Sequence, residues 1–182
     1  MVNEKNIVNI VTKKQHDLGY RLTPGFPFKI ETIFGTVGNL RNAMEFIVTP
    51  DYPTSLLSKS KLKPSEISRI PTRKILVVNY YAIVAYLLLE RVEQDPELIT
   101  LMINNTLPFA SVFYKNKEYY GKTITVGIEN TKLRTYVKIC SDISLLIKAG
   151  DFSNANKREE LINSYKNKKD VGVFDGLPFI VS

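Results

Sequence analysis

The amino-acid sequence predicts an α+β fold: a central buried helix, two to four further helices and a small, mainly antiparallel sheet. Three segments carry this prediction. Residues 74–91 form a long apolar run, residues 130–150 have the pattern of an amphipathic helix, and residues 109–128 are rich in aromatic and β-branched side chains.

Length and composition indicate one globular domain. The chain has 182 residues, of which 44% are hydrophobic and 24% are charged, so it can bury a sizeable core without disulfides or metals. We expect a single α+β domain over residues 1–182, with a proline-rich arm at about 50–71. The apolar tails at 1–14 and 170–182 are predicted to dock on partners.

The run KILVVNYYAIVAYLLLER at 74–91 raises the choice between a membrane span and a core helix. Its apolar stretch Ile75–Leu89 has 15 residues, about 22 Å of helix, which is shorter than a hydrocarbon core of about 30 Å. Thr72 is a candidate cap just after Pro71. Two faces of this helix are apolar, so the sequence predicts a central core helix and no membrane span.

The first half of the chain is predicted to contain strands and a long connection. The apolar pattern of residues 6–14 is too short to separate helix from strand. Residues 29–34 are expected to form a strand between glycine and proline turns. Alternation in NAMEFIVTP at 42–50 favours a second strand. The prolines of the arm predict short helical turns, one of which begins at Pro64.

Stronger start and stop signals occur in the second half. Asp95, Pro96 and Glu97 predict a helix start. FASVFY and YYGKTITVGI are expected to pair as a β-hairpin whose turn is KNKE, residues 115–118. An amphipathic helix is predicted to end at Gly150, and a polar helix to follow over about 154–168.

The sequence indicates no catalytic residue, no cofactor site and no metal site. The only histidine, His16, is expected at the surface, and the only cysteine, Cys140, on the apolar face of its helix. Gly121-Lys122-Thr123 lacks the glycine and the helix that a phosphate-binding loop requires. Gly35–Gly38 is expected to be a turn between strands.

A formal charge of +7 and a pI near 9.4 favour contact with polyanions or acidic protein surfaces. Two groups of cations are candidates for such contacts with nucleic acid or a protein partner: Lys59, Lys61, Lys63, Lys157, Arg158, Lys166, Lys168 and Lys169. The alternative for both groups is a solvated surface.

These observations leave three functional hypotheses. The preferred one is a non-catalytic structural or assembly subunit that binds copies of itself or other subunits, as a phage or viral connector or neck protein does. The second is a nucleic-acid-associated accessory protein. The third is a small-molecule enzyme or ligand-binding protein with a pocket lined by tyrosines, with these candidates: Tyr80, Tyr81, Tyr119 and Tyr120.

Cysteine usage and the first residues bear on localisation. One cysteine excludes an internal disulfide, and MVNEKNIVNIVTKK lacks the pattern of a signal peptide. We therefore expect an intracellular protein, cytoplasmic or within a viral particle assembled in the cytoplasm. The viral hypothesis draws on 18 lysines, 18 isoleucines and 14 asparagines, a bias typical of AT-rich genomes.

Overall fold

A computed structural model describes residues 6–11 and 16–167, which form an α+β fold. The helices are α1 (Asp17–Arg21), α2 (Leu40–Val48), α3 (Pro64–Ile67), α4 (Tyr80–Glu93), α5 (Pro96–Asn104), α6 (Arg134–Lys148) and α7 (Ala155–Ser164). The strands are β1 (Val8–Asn9), β2 (Ile30–Thr32), β3 (Gly35–Val37), β4 (Phe109–Ala110), β5 (Val112–Tyr119) and β6 (Lys122–Glu129).

The strands form three separate two-stranded sheets within the part of the chain that the structure describes. β2 pairs antiparallel with β3, and β5 pairs antiparallel with β6. β1 instead pairs parallel with β4, with Val8 opposite Phe109. The predicted mainly antiparallel character is confirmed, although the strands are distributed among three small sheets.

Helix α4 is the centre of the fold. It packs against α2, α5, α6, α7 and β2, so apolar side chains around most of its circumference are covered. Leu87, Leu88 and Leu89 are three successive residues with no exposed surface, which an amphipathic surface helix does not show. None of the helices in the described ranges is long and apolar enough to cross a membrane.

The predicted start of this helix near Thr72 is wrong. Asn79, the residue before the helix, has a left-handed backbone with φ of 64°, and the helix begins only at Tyr80. Upstream, Lys74 is held by side chains of α2, and the Ile75 amide donates to the Val48 carbonyl. These contacts keep the segment extended, although its apolar spacing matches a helix.

The predicted strand at 42–50 is also wrong, because most of this segment belongs to α2. The Asn39 side chain accepts a hydrogen bond from the Asn42 amide and caps the helix. Ala43, Met44 and Val48 are buried at helical spacing. The apolar residues alternate in the sequence because a helix with a wide apolar face also places some of them two positions apart.

The segment predicted as an amino-terminal docking tail contributes to the core where it is described. Val8 and Ile10 have no exposed surface, and the buried Asn9 bonds both backbone groups of Val112, at 2.8 and 2.9 Å. Residues 1–5, 12–14 and 170–182 of the two tails lie outside the described residues. Their docking role stays a prediction.

The long hairpin is present, but its turn is not at residues 115–118. These residues belong to β5, and the turn is Tyr120-Gly121, with φ of 47° and 71°. Two left-handed residues make the tight turn that suits a twisted hairpin. The prediction failed because a tyrosine occupies the first turn position, where asparagine, aspartate or glycine is typical.

The proline-rich arm contains the predicted short helical turns, a 3-10 helix at Thr54–Leu56 and α3. The arm returns close to the start of α2. A methyl group added to Gly38 would lie 2.0 Å from the backbone carbonyl oxygen of Lys59, so only glycine fits there without displacement. The Gly38 amide also donates to the Leu57 carbonyl at 2.8 Å.

The predicted carboxyl-half helices are confirmed with small changes at their ends. α6 buries Tyr136, Cys140, Ile143 and Ile147 on one face, as the amphipathic pattern indicates. Before α7, the Asn154 side chain accepts from the Lys157 amide, and this cap fixes the helix start. Residues 168 and 170–182, including the expected final strand, lie outside the described part.

Candidate functional site

A cavity of about 500 Å³ lies between α2 and the proline-rich arm. Its polar lining comes from α2, the arm and the segment before α4, and includes Arg41, Glu45, Tyr52, Lys61 and Lys74. Its apolar wall includes Leu62, Ile67 and Ile70. This size is within the range of small-molecule sites, and the mixture of an apolar wall with a few polar groups is typical of them.

Two asparagines of α2 hold the arm in place to form the cavity. The Asn39 side chain donates to the Ser60 carbonyl at 2.9 Å, and the Asn42 side chain donates to the Lys59 carbonyl at 2.6 Å. Both asparagines are buried. Buried side-chain amides bonded to loop carbonyls fix the loop backbone, so this wall is preorganised.

Lys74 brings a buried positive charge to the cavity. The side chain is 3% exposed, and its ammonium group donates to the Glu45 carboxylate, to the Thr49 hydroxyl at 2.7 Å and to the Pro71 carbonyl at 3.3 Å. Three acceptors match the three donors of an ammonium group. Lys74 is therefore a structural cation, and Glu45 offsets its charge.

Tyr52 presents an unusual hydroxyl group. The residue is 6% exposed, and its hydroxyl oxygen is buried without a hydrogen-bond partner among the described residues. Burial, with a smaller contribution from the negative charge of Glu45, raises the pKa of Tyr52 to about 12. The hydroxyl therefore keeps its proton at neutral and mildly alkaline pH.

The cavity lining includes four charged side chains, the cations Arg41, Lys61 and Lys74 and the acid Glu45. Lys74 and Glu45 offset each other through their ion pair, and Lys61 is exposed.

The β5–β6 hairpin is a second candidate site, because most of its surface is exposed. Of the eight residues in each strand, only Val112 is buried. At the tip, Tyr119 is 61% exposed and Tyr120 is 90% exposed, with their ring centres 4.6 Å apart. Exposed aromatic side chains in such a group are typical of binding surfaces.

The three lysines of the proline-rich arm that were predicted as contact residues have different surroundings in the structure. Lys59 forms an ion pair with Glu66 of α3. Lys61 lines the cavity, whereas Lys63 precedes α3 and is exposed. Of these three lysines, Lys61 is the one in the lining of this cavity.

The predicted cations of the carboxyl-terminal group also differ from one another in their partners and exposure. Lys157 pairs with Glu160 at 3.1 Å, and Arg158 pairs with Glu90 at 3.3 Å and with Glu93 at 2.8 Å. The Arg158 pairs hold α7 on α4, so this residue has a structural role. Lys166 is exposed, and Lys168 and Lys169 lie outside the described residues.

The four tyrosines predicted to line one pocket occupy two different elements. Tyr80 and Tyr81 pack edge to face at the start of α4, with ring centres 5.2 Å apart, whereas the other pair is at the hairpin tip. Neither pair is in the lining of the cavity. Sequence reasoning missed Tyr52, and its only signal was a position between Pro50 and Pro53 in the arm.

The acid cluster at the α4–α5 junction is an internal ion-pair network. Arg91 is 2% exposed and donates to Asp95, which also bonds Arg21 at 3.2 Å and caps α5 through the Leu98 amide. Burial lowers the pKa of Arg91, and the hydrogen bond and charge of Asp95 oppose this effect. The network satisfies the buried Asp95 carboxylate.

The two remaining candidates for chemistry have the placements expected from sequence. His16 is exposed, and Cys140 has no exposed surface. Burial raises the pKa of the Cys140 thiol well above its usual value, so it is not a nucleophile in the folded protein. Within residues 6–11 and 16–167, no group of three acid, histidine or cysteine side chains is arranged to hold a metal ion.

Comparisons with known proteins identify no family for this chain. No protein-family model matches the sequence, and no similar curated protein or solved structure is found.

Proposed function

We propose that this chain is a non-catalytic subunit of a protein assembly and that the β5–β6 hairpin is its contact arm. The observation that carries the proposal is a two-stranded hairpin with strands of eight residues that extends beyond the core. A two-stranded hairpin alone is marginally stable in water, whereas three or more strands are stable. An additional strand from a partner would supply the missing stability.

The free edge of β6 has the composition of a pairing strand. Between Lys122 and Glu129 the sequence TITVGI contains no charge and no proline, and most of it is β-branched. Natural edge strands avoid pairing by means of charges or prolines. β5 has such protection in Lys115, Lys117 and Glu118, so β6 is the edge at which we propose the contact.

The partner that fits this edge is a second copy of the chain. A two-fold axis that relates two antiparallel β6 strands is perpendicular to the sheet, so residues on the same face lie opposite each other. With the axis beside Thr125, Thr125 of each copy lies opposite Thr125 of the other, and Ile124 lies opposite Val126. Threonine pairs and β-branched pairs of this kind stabilise adjacent strands. The result is a four-stranded sheet across a two-fold axis, the commonest symmetry of soluble oligomers.

Charges placed at the axis test this register. Thr125→Lys and Thr125→Glu each place like charges directly opposite each other, and we expect each to weaken the dimer by roughly tenfold or more. An equimolar mixture of the two variants places opposite charges at the axis and is expected to recover the affinity. Lys117→Glu, on β5, is the matched control and should leave the dimer unchanged.

Sedimentation velocity over a range of concentrations measures the association, and far-UV circular dichroism checks that each variant folds. Native mass measurement of the protein isolated from its source then identifies the assembly. A wild-type chain that stays at the 20.7 kDa monomer mass in both measurements overturns the proposal. A mixture of the two Thr125 variants that associates as weakly as either variant alone refutes the register.

The finer form of the proposal is a component of a phage or viral particle, such as a connector or neck protein. It rests on the compositional bias of the sequence together with the contact arm. Purification of intact particles from the source, followed by mass spectrometry of their subunits, tests it. Absence of the chain from every particle fraction would leave only the general assembly role.

A second candidate function is supported by the hairpin tip. Lys115, Lys117 and Lys122 lie near Tyr119 and Tyr120 in sequence and in strand register, and cations beside stacking aromatics suit nucleic acid. Binding of a single-stranded oligonucleotide that falls steeply with added salt would favour this accessory role. Self-association that persists in high salt would favour the assembly role.

A further inference from the structure

We propose that the carboxyl-terminal segment at residues 171–181 docks on an exposed apolar patch of the same molecule, formed by Leu76 and Val78. The apolar patch lies in the extended segment before α4 and shares no residue with the hairpin, so this inference is independent of the contact arm. Three observations support it: the exposure of the patch, the place at which the described chain leaves α7, and the composition of the segment that follows.

The apolar patch is surface that the described residues leave uncovered. Leu76 is 44% exposed and Val78 is 74% exposed, whereas Val77 between them packs against the core. Contacts of Lys74 and Ile75 with the end of α2 fix the segment in this orientation. Single exposed apolar residues are normal on a protein surface, but two such residues in one fixed segment gain from being covered.

The described part of the chain ends beside this patch. After α7, the Asn167 amide donates to the side-chain oxygen of Asn79 at 3.1 Å, and Asn79 directly follows Val78 in the sequence. Tyr165, two residues before Asn167, is 1% exposed and bonds Asp142 on α6. These contacts fix the point from which residues 168–182, which lie outside the described part, must start.

The carboxyl-terminal segment has the length to reach the apolar patch. Leu76 precedes Asn79 by three residues, a separation of at most about 11 Å. Residues 168–170 are charged and form a spacer that spans about 10 Å when extended, so the residues after it can reach both side chains of the patch.

The composition of this segment matches an apolar surface. The sequence VGVFDGLPFIV at 171–181 contains seven large apolar side chains and one charge. Because the segment is tethered next to the patch, it meets the patch at a high effective concentration, about millimolar for a short linker. This favours the molecule's own segment over that of a second copy as the occupant.

Thiol labelling of the full chain tests whether the patch is covered. Val78→Cys and Ile33→Cys are a matched pair, because Ile33 is 77% exposed and lies in the turn between β2 and β3. The described residues alone would leave both thiols accessible. With the carboxyl-terminal segment docked, we expect the thiol of Val78→Cys to react at least roughly tenfold more slowly than that of Ile33→Cys. Equal labelling rates overturn the proposal.

Substitutions in the carboxyl-terminal segment test whether it provides the cover. Phe174→Ser combined with Phe179→Ser removes two large apolar side chains, and we expect it to raise the labelling rate of Val78→Cys to that of Ile33→Cys. Lys168→Gln, in the charged spacer, is the control and should leave both rates unchanged. Protection that persists in the double phenylalanine variant refutes this segment as the occupant. Slow labelling of the buried Cys140 verifies that each variant is folded.

The dependence on protein concentration identifies the molecule that supplies the segment. Protection within one molecule is independent of concentration, whereas protection that increases with concentration indicates a second copy and overturns the proposal. Thr125→Lys, which weakens the proposed dimer, should leave the labelling of Val78→Cys unchanged. Failure of the dimer and failure of this docking are therefore separate results.

Discussion

The guanidinium group of Arg91 lies 3.8 Å from the centre of the Phe28 ring and is bonded to Asp95 through Nη1 at 2.5 Å. The Arg91 side chain is 2% exposed, and its Nη2 atom has no hydrogen-bond partner among the described residues. An aromatic face and one carboxylate thus stabilise a buried charge in the middle of the domain. The fold depends on this arrangement more than on any exposed ion pair.

Removal of the Asp95 charge should strongly destabilise the protein. Asp95→Asn keeps a side chain that can cap α5 but leaves Arg91 buried without a counter-ion, and we expect a loss of about 3–5 kcal/mol in the free energy of unfolding. Urea unfolding followed by circular dichroism measures it. Glu97→Gln, whose side chain is 65% exposed, is the control and should cost less than about 1 kcal/mol.

The close approach of the proline-rich arm to α2 predicts a specific glycine effect. Gly38→Ala forces a methyl group against the Lys59 carbonyl and should lower the free energy of unfolding by about 1–3 kcal/mol. Gly25→Ala is the matched control, because no heavy atom lies within 4 Å of the added group. Equal melting temperatures for the two variants would contradict this close packing of the arm on α2.

Alkaline pH should destabilise the fold through Tyr52. Its pKa of about 12 exceeds the ordinary value of 10.0, so the unfolded chain loses this proton first and stability falls as pH rises from 10 to 12. In Tyr52→Phe the decrease over this range should be smaller by about 2 kcal/mol. Tyr136 and Tyr165 also have raised pKa values, so the comparison must be between this variant and wild type.

Cys140 should react with thiol reagents only when the domain opens. It has no exposed surface, and burial raises its pKa, so we expect the labelling rate at pH 8 to follow the unfolding equilibrium and to increase with urea. Leu145→Cys adds a second thiol on the same helix, at a position that is 65% exposed. That thiol should react rapidly in the native protein, and two equally fast thiols would disprove the burial of Cys140.

Local signals in the sequence were sufficient for elements whose ends are marked by caps. Asp95-Pro96 predicts the start of α5, and Asn154 predicts the start of α7, because both side chains bond amides within three residues. The start of α4 could not be predicted in this way. It depends on Lys74 reaching Glu45 and Thr49, which are 29 and 25 residues away in sequence.

The cavity was beyond sequence reasoning for the same reason. Glu45, Tyr52 and Lys74 come from three separate segments, and each has an ordinary local context. What makes Tyr52 distinctive is a missing hydrogen bond, a property of the folded chain. The tyrosine pocket stays a prediction: the four tyrosines lie on two elements, and the two members of each pair pack edge to face.

The parallel pairing of β1 with β4 has a consequence for synthesis on the ribosome. Val8 and Asn9 are synthesised about a hundred residues before their partners Phe109 and Ala110. Such distant contacts are slow to form, and β1 stays unpaired while the intervening chain is elongated. Nascent chains halted before β4 has left the ribosome should therefore bind chaperones longer than chains halted after it has left.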